Sequence, residues 1–62
     1  MDIFITLKTK NDTISKEITV QSPVLPHKGE IVTLNGAYGT VEDITYDLGK
    51  NNFLIPHLWC RE

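Results

Sequence analysis

A single cysteine, Cys60, is all the thiol chemistry in this chain of 62 residues, so no internal disulfide can staple it. That excludes the scaffold on which small secreted domains rely. No apolar run approaches the ~20 residues a membrane span needs, and Met1 leads straight into a strand-like segment with neither a basic n-region nor a cleavage site. The expectation is a cytoplasmic protein without a membrane segment. Cations are scarce and scattered over Lys8, Lys10, Lys16, Lys28, Lys50 and Arg61, and the formal net charge is −2. A surface that tracks phosphates needs clustered cations, so the charge disfavours nucleic acid as a partner. Also missing are a helical apolar stripe, an internal repeat and any low-complexity segment. A chain of this length is expected to form one domain, residues 1–62. Such a domain buries only about 60% of the surface its unfolded form exposes and has little room for an elaborate active site.

What the sequence does hold is β-strand chemistry centred on residues 28–48. Ile31 to Leu34 and Tyr38 to Tyr46 are rich in β-branched and aromatic residues. Between them stands Asn35-Gly36, the dipeptide that best tolerates the two positive φ angles of a type I′ turn. With Asn35 and Gly36 as the loop, Leu34 lies opposite Ala37, Val32 opposite Gly39 and Glu30 opposite Val41. One face then carries Val32, Leu34, Ala37, Gly39 and Val41. Past Val41 the apolar residues Ile44, Tyr46 and Leu48 are out of phase by one. The slip predicts a β-bulge at Glu42-Asp43, since one extra residue restores the inward face and bends the strand.

Two further strands precede this hairpin. Residues 3–8 put Ile3, Ile5 and Leu7 on one face, and residues 14–20 do the same for Ile14, Lys16, Ile18 and Val20. A turn at Asn11-Asp12, or a loop of three to five residues, sets Ile5 opposite Ile18, Ile3 opposite Val20 and Leu7 opposite Lys16, so the two apolar faces coincide. Residues 21–30 read as the longest loop. There Pro23 and Pro26 are spaced as Pro-x-x-Pro, a pattern that stiffens a connection and also occurs in polyproline ligands. Leu25 is expected to plug an open end. Residues 53–59 form the last strand-like run, with Phe53, Ile55, His57 and Trp59 on one face and Leu54, Leu58 and Cys60 on the other. Pro56, which cannot donate to a ladder, predicts an edge or a break into a short 3₁₀ turn.

The sum is an all-β chain, a five-stranded meander closing into a small barrel. It resembles the SH3-like barrels. Gly29-Glu30-x-Val32 followed by Asn35-Gly36-Ala37-Tyr38-Gly39-Thr40-Val41 is similar to a degraded form of the KOW motif found in such barrels, and the likeness covers about a third of the chain. KOW modules are ribosomal or transcription-associated binders of nucleic acid or protein, and the resemblance implies a binder of that kind. The basic residues usual around the motif are absent, and Glu42 and Asp43 stand nearby instead.

Motifs for chemistry are thin. His57-x-x-Cys60 with His27 supplies three soft ligands, but positions three apart in a strand face opposite sides ~10 Å apart, too far for one zinc ion. A surface histidine and a small buried thiol account for them, and neither metal nor cofactor is expected. No oxyanion hole or orienting third group accompanies a Cys/His pair, so no enzyme is expected either. The candidate binding residues are Phe4 and Tyr38, which fall on outward faces, and the acidic Glu42, Asp43 and Asp47. Trp59 reads as a lid on the barrel's end. The functional expectation is a non-catalytic module that engages another protein or a second copy of itself through a strand edge, the outward aromatics and segment 42–47. The alternative is nucleic-acid or nucleotide binding through the barrel face.

Overall fold

The computed structural model describes residues 1–62, all of the chain. Five strands form: β1 (Asp2–Lys8), β2 (Ile14–Gln21), β3 (Ile31–Leu34), β4 (Ala37–Leu48) and β5 (Leu54–Arg61), with one 3₁₀ turn at Lys50–Asn52. They make a single sheet in the order β2-β1-β5-β4-β3 that curls into a half-barrel. A closed five-stranded meander would have five seams, four antiparallel and one parallel between its first and last strands. Four of these form: β1–β2, β3–β4 and β4–β5 antiparallel, and β1–β5 parallel. The β2–β3 seam stays open. Two features of the chain there account for it. The connection at residues 22–30 carries both Pro23 and Pro26, and β3 is only four residues long against the twelve of β4.

The expected registers are found. Leu34 pairs with Ala37 and Val32 with Gly39, and the ladder is prolonged by the Val41 N–H donating to the Glu30 carbonyl at 2.9 Å. Both loop residues have positive φ, 34° at Asn35 and 92° at Gly36, which is why this dipeptide makes the turn. The β4–β5 register shifts between Val41 and Asp43, so Glu42 is the extra residue of the expected bulge. Ile5 pairs with Ile18 and Leu7 with Lys16, but the next pair is Lys8 with Ile14, leaving Ser15 as a second bulge that the sequence did not signal and turning Ile14, expected on the inner face with Lys16 and Ile18, to the outer face with Lys8.

The concave side holds the core: Ile3, Ile5, Leu7, Val41, Leu58 and Cys60, with Ile18, Val20, Leu25, Val32, Leu34, Ala37 and Ile44 packed against it. Alternation along the strands puts these residues on one face, and Leu25 reaches in from the 22–30 loop as a partial plug. Gly39 is buried because it lies directly against Leu7 and the Arg61 carbonyl, so no side chain fits.

Three further expectations are corrected. The break or 3₁₀ turn expected at Pro56 does not form, since Pro56 pairs with Tyr46 inside β5; the alternative, an edge, holds on the side of β1. The parallel ladder with β1 begins only at His57, so nothing on that side calls for the N–H that proline lacks. Trp59 does not cap the barrel's end but lies half-buried on the outer face, stacked on His57. His57 is no surface residue: it is 7% exposed.

Candidate functional site

The outer face of the sheet carries a polar and aromatic cluster built across β1, β4 and β5. Phe4 and Thr6 of β1 lie beside His57 and Trp59 of β5, because the parallel register pairs Phe4 with His57 and Thr6 with Trp59. Thr6 Oγ1 and His57 Nε2 are 2.7 Å apart, and Thr6 also donates to Glu17 of β2 at 3.5 Å. His57 Nδ1 lies 3.5 Å from Asp47 Oδ2. Phe4 meets the imidazole edge-on, Trp59 stacks on it with ring centres 3.9 Å apart, and Lys8 Nζ sits 5.6 Å above the indole. Trp59 Nε1 donates to Thr45 of β4.

Asp47, His57 and Thr6 therefore stand in the order of a carboxylate, imidazole and hydroxyl triad. The hydroxyl is not presented to a substrate, since Thr6 has no exposed surface. What the arrangement does is satisfy buried polar groups between strands: no buried side-chain nitrogen or oxygen lacks a partner.

A second cluster is organised by Arg61 at the end of β5. Its guanidinium donates to Glu42 at 2.9 Å, to Asp12 at 2.5 Å and to the Thr9 carbonyl at 3.1 Å, tying the β4 bulge to the β1–β2 turn. The Arg61 hydrogen bond holds the Asp12 carboxyl below its ordinary range, and the bonds to Glu42 and Asp12 push the arginine up. Cys60 points the other way, into the core, where burial and then the Glu42 charge raise its thiol. His57 and Cys60 thus face opposite sides of β5. No group of three His, Cys, Asp or Glu side chains is arranged to hold a metal ion.

The sequence-derived candidates are not brought together as one surface. Phe4 is half-buried against His57, while Tyr38 is 64% exposed at the far end of β4, seven positions from Thr45. Glu42 is engaged by Arg61, Asp43 accepts a hydrogen bond from the Ile44 N–H at 3.0 Å, and Asp47 lies beside His57. Asp43 and Asp47 flank Thr45 on the outer face of β4, as their pairing with Trp59 and Ile55 requires.

The larger opening is elsewhere. At one end of the half-barrel a groove of about 960 Å³ is lined by Met1, Leu25, Tyr46, Phe53, Leu54 and Pro56, among others. Of the lining residues, Tyr46, Phe53, Leu54 and Met1 are more than half exposed, as is Leu48, which pairs with Leu54. Phase alone placed Tyr46 and Leu48 on the inward face. They do face that side, but with the β2–β3 seam open nothing covers them. The usable signal was the run Phe53-Leu54-Ile55, apolar on both faces of a strand that has a neighbour to cover only one.

No protein-family model, no curated protein and no solved structure matches the chain.

Proposed function

We propose that this protein is a non-catalytic binding module that engages another protein through the open side of its half-barrel. The observation that carries the reading is the exposed apolar surface of Met1, Tyr46, Phe53 and Leu54 that lines one groove, with exposed Leu48 paired to Leu54 beside it. Single exposed apolar residues are ordinary, whereas a contiguous patch rimmed by polar groups is the usual mark of an interaction site. The SH3-like closure that the sequence resembles belongs to the same reading: a partner in the open seam completes the barrel that the chain leaves at four seams of five. A cytoplasmic setting fits the unpaired thiol of Cys60.

The test is recovery of partners by the tagged protein from a lysate of its source cells, with and without nuclease, beside a Tyr46→Glu/Leu54→Glu variant. A stoichiometric protein that survives nuclease and is lost with the variant supports the reading. Recovery that vanishes with nuclease transfers the function to nucleic acid.

A further inference from the structure

A backbone edge lies along the open seam. β3 covers β4 only from Ala37 to Thr40, and Glu30 extends the contact to Val41. A turn at His27–Glu30 then ends the ladder, with the Glu30 N–H donating to the His27 carbonyl and the His27 N–H to Glu30 Oε1. From Glu42 to Leu48 no strand pairs with β4 on that side. Seven residues at ~3.3 Å each give about 23 Å of unpaired edge. Tyr46, which borders the groove, belongs to it.

We propose that this edge of β4 takes up an extended segment of a partner protein as an added strand, and that the segment carries lysine or arginine four residues apart with apolar residues on its other face. The proposal rests on the protein-binding reading above and names the site and the chemistry of the partner. Pairing of main-chain groups supplies the general attraction, and the side chains on the two faces supply the choice of partner.

On the inner face the edge presents Ile44, Tyr46 and Leu48, the last two 54% and 68% exposed, which ask for apolar neighbours. On the outer face it presents Asp43 and Asp47, whose side chains have no cation from this chain other than His57 near Asp47. Two carboxylates four positions apart on one face select cations at the same spacing on the strand opposite.

The same charges argue against a second copy. Two β4 edges aligned antiparallel about Thr45 put Asp43 against Asp47 twice, and a parallel alignment sets each against itself. Of the other open edges, β3 is only four residues long and carries no cation, and β2 does not fit either. It brings Glu17 to the outer face and Lys16 to the inner one, the reverse of what the β4 edge asks for. Its own bulge at Ser15 and its inward Lys16 are the devices that keep an edge from pairing. Beyond Glu42, β4 has neither.

The experiment uses the ¹⁵N-labelled full chain and the peptide Val-Lys-Val-Thr-Val-Lys-Val, acetylated and amidated, which reads the same in both directions. Binding is followed by amide shifts and by hydrogen exchange. Slowed exchange at Ile44, Tyr46 and Leu48 is expected. Replacing both lysines by glutamate should weaken the affinity about tenfold, and Asp43→Asn/Asp47→Asn should abolish the difference between the two peptides. Leu48→Lys, which gives β4 the inward cation of β2 at an exposed position, should remove binding while leaving the rest of the spectrum in place. Equal binding of both peptides overturns the proposal, as does protection of the β4 edge by concentration alone in a self-associating chain. Protection confined to β2, or none with either peptide, overturns this site while leaving the pull-down to judge the protein-binding reading.

Discussion

Gly39 shows how one missing side chain positions two strands. A β-carbon there would be driven into Leu7 and would stand 3.0 Å from the Arg61 carbonyl oxygen. Leu7 has no exposed surface into which it could move. Gly39→Ala is expected to destabilise the fold by about 1–3 kcal/mol, read as a lower urea midpoint at unchanged slope. A neutral result would mean that β4 does not lie against β1 and β5 as described. The Val32–Gly39 pairing was legible in the sequence, but the neighbour that forbids a side chain, Leu7, was not, because it lies across the barrel.

Cys60 gives a prediction in pH. Its thiol is raised above the ordinary value of 9.0, first by burial and then by the Glu42 charge. The folded state then holds this proton more tightly than the unfolded one. The contribution to stability is fully present below pH 9 and declines as the pH rises toward the raised folded value. Denaturation midpoints should therefore fall above pH 9 in the native chain. The thiol should also react with a disulfide reagent far more slowly in buffer than in urea. Rapid labelling of the folded chain would contradict the burial.

At the scale of elements, the strands are held on their outer side by a polar pair rather than by a second apolar layer. Thr6 and His57 are 51 positions apart and bridge β1 to β5. Thr6→Val keeps the shape but strands the imidazole nitrogen, at a cost of about 1–3 kcal/mol. Thr6→Ser keeps the hydroxyl and should lose closer to 1 kcal/mol, for a single methyl group. Equal losses in the two variants, measured by urea denaturation, would show that the bond carries no weight. Nothing local marks Thr6 or His57 as buried. A threonine between Phe4 and Lys8 on one strand and a histidine between Ile55 and Trp59 on another read as surface residues until the parallel β1–β5 register sets them side by side. The Glu42 bulge, by contrast, was visible in sequence, since a change of phase is itself a local signal.

At the scale of the whole molecule, the half-barrel separates residues that hold the fold from residues left uncovered. The core uses Ile3, Ile5, Leu7, Val41 and Leu58, all at most 2% exposed, while Tyr46 and Leu54 are each more than half exposed. Tyr46→Glu/Leu54→Glu should therefore leave stability within about 0.5 kcal/mol, as changes at exposed positions do. The same variant should lose its partner in the pull-down. A large drop in stability would mean that these residues are core. The acidic segment at 42–47 was a candidate from the start. Phe4 does not join it, because His57 takes its ring edge-on.

The sequence by itself determined the class of structure, the strands, the Asn35-Gly36 turn, the register of the central hairpin, that of the first hairpin as far as Leu7 and Lys16, and the bulge at Glu42. These follow from the two-residue alternation of side chains and from which residues tolerate positive φ, and both are local properties. Only the tertiary structure decided that the β2–β3 seam stays open, that Thr6 and His57 are buried together, and that Ile44 to Leu48 border an uncovered edge. Each depends on the relative lengths and neighbours of strands far apart in the chain. A four-residue β3 beside a twelve-residue β4 leaves the rest of that edge with no partner of its own.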